Sequence, residues 1–169
     1  MEGFKLRFAA KAIPQWAERY SYAGKDRILA MVGPVQKRGY LTKEEFLAVC
    51  AWKTKRSRSR CAANAADRVQ TAVRLALSME DSRIKMGILR VLDGVDWPTA
   101  SVILHFFDRL PYPILDYRAL WSLGLERVPV YSFALWEEYT TSVRGLCRRT
   151  GYSIRIIDRA LWQYSKEKE

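Results

Sequence analysis

The chain has 169 residues, with 29 Lys and Arg against 18 Asp and Glu, a formal net charge of +11 and a pI of about 9.8. At 49% hydrophobic and 28% charged it reads as one basic folded domain, neither disordered nor membrane-embedded, and no apolar run approaches the ~20 residues that cross a bilayer. Three cysteines (Cys50, Cys61, Cys147) and one histidine (His105) are too few for a Cys/His zinc site or a four-cysteine cluster and argue against a triad hydrolase, so the positive excess points to a polyanionic partner, nucleic acid ahead of an acidic membrane surface.

Apolar residues recur at three- and four-residue spacing, which predicts an all-α chain. Lys5, Arg7 and Lys11 interrupt the apolar stretch from Phe4 to Ile13, so no signal peptide is read and a cytoplasmic location is expected. Helices are predicted over 8–20 and 25–32, with Gly33-Pro34 as a break and Gln36-Lys37-Arg38 in a turn before Gly39. Thr42-Lys43-Glu44-Glu45 is a capping box opening a helix over 42–53, whose Phe46, Leu47, Val49 and Cys50 supply the buried stripe. That helix runs into Lys53-Thr54-Lys55-Arg56-Ser57-Arg58-Ser59-Arg60, five cations in eight residues with no acid among them. The run is either a phosphate-binding loop or a solvated helix junction. Further helices are expected over 59–78, 81–92, 98–108, 117–123, 132–150 and 153–166, separated at Asp93-Gly94, Pro111 to Pro113, Pro129 and Gly151. His105 belongs half-buried beside Phe106 and Phe107, and Arg144, Arg148, Arg149, Arg155 and Arg159 read mainly as exposed scaffold of the last two helices. No break is long enough for an interdomain linker, so residues 1–169 are expected to form a single helical domain.

The segment from Ile84 to Leu123 carries the chemistry. A helix, a four-residue turn and a second helix are expected, with Asp96 as N-cap of the second and Pro98 in its first turn, where a missing amide hydrogen costs nothing. Ala100 permits close helix approach, and open amides at such a helix start receive phosphate oxygens.

Within it, the order Leu92-x-Gly94-Val95-x-x-x-Thr99-Ala100, followed by Asp116 in a Pro-Ile-Leu-Asp setting, resembles the helix-hairpin-helix superfamily of DNA base-excision glycosylases. The likeness spans about 84–123 and is diffuse elsewhere. It implies an all-α domain whose hairpin, through Gly94, Val95, Asp96 and Thr99, binds the DNA backbone. It also implies an essential aspartate, which falls on Asp116, eighteen residues after Pro98. Pro98 occupies the position where some members carry the lysine that forms a Schiff base with the sugar, so a glycosylase of this kind is expected to be monofunctional. Asp96 stands in place of the hairpin's second glycine. Aspartate tolerates left-handed backbone better than most residues, but here its carboxylate would lie near the bound phosphate.

Cleavage of an N-glycosidic bond develops oxocarbenium charge on the sugar, and a fixed carboxylate at Asp116 would stabilise that charge and orient the attacking water. Read from the residues alone, Asp116 is equally an ordinary N-cap of the helix over 117–123. Base chemistry in a duplex requires extrusion of the nucleotide, hence a stacking pocket, a wedge and cations on flanking phosphates. The candidates are Trp52 and Tyr117 for the pocket, Gln36 for the wedge, and Lys53, Lys55, Arg56 and Arg118 for the phosphates. No cofactor is expected; a monovalent cation at the hairpin is the one ion the resemblance leaves room for. The expected partner is double-stranded DNA with a damaged or modified base, bound by a monomer away from membranes. A non-catalytic helix-hairpin-helix DNA-binding protein is the main rival, and a helical protein-interaction domain is another.

Overall fold

The computed structural model describes residues 3–22, 25–127 and 130–169, with the backbone alone at 25 and 26. Among the described residues every regular element is helical, as the spacing of apolar residues predicts: a 3-10 turn Ala10–Ala12, then α1 Ile13–Glu18, α2 Lys25–Arg38, α3 Lys43–Lys53, α4 Arg58–Ala63, α5 Ala66–Ser78, α6 Ser82–Leu89, α7 Trp97–Phe107, α8 Tyr117–Ser122, α9 Phe133–Thr150 and α10 Ile154–Lys168. No helix is long and apolar enough to cross a membrane. The break expected at Pro129 lies outside the described residues.

The helices gather into two compact units, Tyr22–Leu110 and Met1–Ser21 with Pro111–Glu169. In the first, α7 is the central rod. Eight of its eleven residues are buried, from Thr99 through Leu104 and then Phe106 and Phe107, because α2, α3 and α6 pack around it. His105, the exception near its end, stays half-buried and meets Phe106 edge-on, as expected. The unit also holds a buried ion pair, Lys85 with Asp108, whose side chains are 4% and 0% exposed. The second Asp108 oxygen accepts from the Leu110 amide at 2.9 Å.

In the other unit α10 lies against α1, α8 and α9, and Tyr139, Trp136, Ile157, Leu161 and Leu120 fill the core. The N-terminal segment is strapped to the end of α8 by backbone bonds from Lys5 to Leu123 (2.9 Å) and from Arg7 to Ser122 (3.0 Å). Phe8, Trp16 and Tyr164 form an aromatic cluster beside it.

Several local expectations are corrected. Gly33-Pro34 does not break the chain: α2 runs through to Arg38, and Gln36 therefore sits on its last turns rather than in a loop. Gly33 and Pro34 face solvent while Ile28 and Val35 are fully buried, so the apolar face stays continuous past the missing amide. The helix expected over 8–20 is shortened to the 3-10 turn and α1, since Pro14 has no amide to extend a helix begun earlier. The helix expected over 59–78 divides into α4 and α5, with Asn64 and Ala65 extended between them. Arg155 and Arg159 are half-buried rather than exposed, each over the Tyr20 ring at 5.2 and 5.6 Å.

Candidate nucleic-acid interface and the Asp116 segment

In the unit Tyr22–Leu110, α6 ends at Leu89 and α7 begins at Trp97, so the connection covers 90–96 and is longer than the four-residue turn expected. Its conformation is set from two sides. Val95 donates to the Leu92 carbonyl at 3.0 Å, closing a tight turn, and both side chains are buried beneath it. From the other side the Asn64 carboxamide, 0% exposed, donates to the Asp93 carbonyl at 2.9 Å and accepts from the Asp93 amide at 2.9 Å, as a neighbouring strand would. Asn64 also donates to the Cys61 carbonyl at 3.0 Å, which ties α4 to the connection.

Gly94 completes the junction. Its φ is +80°, and a Cβ there would lie 2.7 Å from Cys61 Sγ, 2.8 Å from Cys61 N and 3.0 Å from the Ser57 carbonyl. A glycine is required both by the left-handed backbone and by the approach of α4. Asp96 is the reverse case. Its φ is −117°, so the left-handed conformation suggested by its place in the motif is not adopted, and it acts as an N-cap through Oδ1 to the Trp97 amide at 2.8 Å. The carboxylate also meets Arg90 at 3.3 Å, and the Arg90 guanidinium lies 4.2 Å from the Trp97 ring. Asp93 is matched in the same way by Arg68 at 3.7 Å.

Each acid of the connection thus has its own arginine, and neither is left to pair with the neighbouring run. Lys55, Arg56, Arg58 and Arg60 are all exposed, and no ion pair engages them among the described residues; Lys53 is half-buried. No oxygen of the described chain accepts from the Gly94 or Asp96 amides. The structure therefore sets Ser57, next in sequence to Arg56, against Gly94, so the basic run adjoins the connection and its open amides within one unit. Thr99, expected from the motif to contact the DNA backbone, is 2% exposed, its side chain buried in the first turn of α7.

Trp52 is a packing residue of the same unit, 4.7 Å from the Tyr22 ring and edge-on to Phe106 at 5.7 Å, and its indole Nε1 is buried without an acceptor among the described residues. Gln36 is exposed on α2, and its amide reaches the Phe106 carbonyl at 3.5 Å.

Asp116 belongs to the other unit. It caps α8, its Oδ1 accepting from the Arg118 amide at 2.9 Å, and it is half-buried rather than sealed. The Pro-Ile-Leu-Asp segment that carries it is fixed at both polar groups of Ile114, and the chain just before it at Pro111. Arg144 Nε donates to the Pro111 carbonyl at 2.9 Å, the Tyr139 hydroxyl donates to the Ile114 carbonyl at 2.9 Å, and the Ile114 amide donates to Asp158 Oδ1 at 3.2 Å. Tyr112 stacks on Trp136 at 5.3 Å. Burial first, and then the charges of Asp158 and Asp116, push the Tyr139 phenol well above its ordinary pKa, so it remains a donor to Ile114 at neutral pH. Tyr117 is 44% exposed beside Asp116, whereas Arg118 is engaged with Glu169 at 3.3 Å and Ser165 at 3.5 Å.

Sequence reasoning does not single out Asn64, Tyr139 or Asp158. Asn64 leaves a faint signal, a poor helix former inside an expected helix. The other two leave none, since their partners are backbone groups distant in sequence. Comparison with family models, with characterised proteins and with solved structures returns no match for the chain.

Proposed function

We propose that the chain is a monofunctional DNA N-glycosylase of the helix-hairpin-helix kind, which hydrolyses a damaged or modified base from duplex DNA and leaves an abasic site. The observation that carries this reading is the set of exposed cations Lys55, Arg56, Arg58 and Arg60, without an acidic partner among the described residues, on a segment fastened by Asn64 and Gly94 against a connection with open amides. Such a surface suits the DNA backbone, where each neutralised phosphate releases counterions and the donors fix register.

Asp116 is assigned the chemistry. A carboxylate held by a capping bond and an anchored segment is oriented before substrate arrives, so it stabilises the oxocarbenium charge without reorganising. It also accepts the proton of the attacking water as the bond to the base breaks. No amine is assigned a covalent role. Pro98 has none, and Lys85 is paired with Asp108 out of solvent.

The test is incubation with a panel of duplexes bearing different damaged or modified bases, followed by alkaline cleavage at abasic sites. Asp116→Asn, which keeps shape and removes charge, is expected to abolish base release while DNA affinity persists. Near-normal turnover by that variant would remove Asp116 from the mechanism. DNA binding without base release from any duplex by the wild type would favour the non-catalytic binding protein.

A further inference from the structure

Within the basic run Lys53 to Arg60, the sequence singles out only Lys53, Lys55 and Arg56 as phosphate contacts, but the exposed positive charge continues onto α4. Arg58 and Arg60 are exposed and, among the described residues, neither has an acidic partner, whereas Arg68 and Arg90 are spent on Asp93 and Asp96. Their helix is held at both ends. Ser57 and Cys61 abut Gly94, where even one added carbon would overlap, and Asn64 grips both polar groups of Asp93 immediately after α4 ends.

We propose that Arg58 and Arg60 are DNA-phosphate contacts continuous with the 90–96 connection, and that Asn64 is the positioning residue that sets their register against its open amides. The proposal rests on the nucleic-acid part of the reading above and is independent of whether Asp116 performs chemistry.

Asn64 is fully buried and does not itself meet DNA. A carboxamide is the side chain that copies a peptide group, donating to one carbonyl and accepting from one amide of the same residue. Gln would need room for a further methylene at a site with no exposure. Fixing α4 in this way orders the backbone that bears the two arginines during folding instead of during binding, so less is lost when phosphate is engaged. The same bonds read as scaffolding alone would contribute stability but no coupling to the arginines.

A double-mutant cycle on the full chain separates the two. A labelled undamaged duplex is titrated over a range of salt concentrations with the wild type, Arg58→Ala/Arg60→Ala, Asn64→Ala and the combined variant, each shown to be folded by circular dichroism. The arginine pair is expected to lower the salt slope by up to about 2, at roughly 0.9 per phosphate contact, and to weaken binding by about tenfold or more. In the Asn64→Ala background the same pair is expected to cost several-fold less, because the arginines are already out of register. Equal costs in the two backgrounds, to within about twofold, would return Asn64 to scaffolding. An unchanged slope for the arginine pair would remove Arg58 and Arg60 from the interface. Either result with a wild type that binds DNA leaves the proposed function standing, whereas a wild type without salt-dependent binding overturns both. Where Asn64→Ala does not fold, Asn64→Ser completes the same cycle.

Discussion

Gly94 shows how much one residue can depend on a neighbour far away in sequence. A turn glycine before a helix is expected to have positive φ, and this one does, but the contact with Cys61 and Ser57 adds a steric demand that no turn type contains. Gly94→Ala is expected to destabilise the protein by about 2 to 4 kcal/mol, combining left-handed strain with overpacking. Gly87, exposed on α6 with open space within 4 Å of where a Cβ would project, provides the contrast. Gly87→Ala is expected to stabilise by about 0.5 to 1 kcal/mol through helix propensity. Urea denaturation of the two variants checks both signs. At Asp116 the residue type and its capping role are legible in the sequence, because both are local. The grip of Tyr139 and Asp158 on the preceding backbone is not, since it joins residues 25 and 44 positions apart.

Among the elements, α3 is the one whose start is written most plainly. Thr42 Oγ1 accepts from the Glu45 amide at 3.2 Å, and the Glu45 carboxylate accepts from the Thr42 amide at 2.8 Å. The structure adds Arg38, from the end of α2, as an ion-pair partner of Glu45. Burial by itself raises the Glu45 pKa, but the bonds and charge from Arg38 and Thr42 outweigh it and hold the carboxyl below its ordinary value. The stabilisation is therefore complete above the unfolded value of about 4.3 and is lost as pH falls through the depressed folded value. Glu45→Gln is expected to cost about 1 kcal/mol at pH 7 and to reduce the loss of stability on acidification, as read from urea midpoints between about pH 7 and 3. The opposite outcome for the element expected over 59–78 has a comparable cause. Asn64 gains more from Asp93 and Cys61 than from continuing a helix, and the single predicted element becomes two.

At the scale of the molecule, charge and amine placement shape the expected reaction. The lysine nearest in sequence before the 90–96 connection, Lys85, is 4% exposed at its side chain and bound to Asp108, so its amine is withheld from a sugar. Borohydride added during turnover on a cleavable duplex is expected to trap no enzyme, and strand scission is expected only after alkali. Trapped enzyme with prompt scission would assign lyase chemistry to an amine elsewhere, Lys53 being the first to replace.

The helical class, most helix boundaries and the capping residues Thr42, Asp96 and Asp116 can be read in the chain, because apolar periodicity and capping are properties of a few consecutive residues. The basic run is equally visible, but its meaning is not. Solvated junction and phosphate surface share the same letters, and they differ only in whether acids lie nearby and whether a donor-bearing backbone adjoins. Tertiary packing adds that Asp93 and Asp96 are matched to Arg68 and Arg90 and that α4 is clamped to Asp93 through Asn64, the arrangement on which the proposed DNA role rests. The Asn64 clamp closes a loop of about thirty residues, a span over which local propensity and periodicity carry no information.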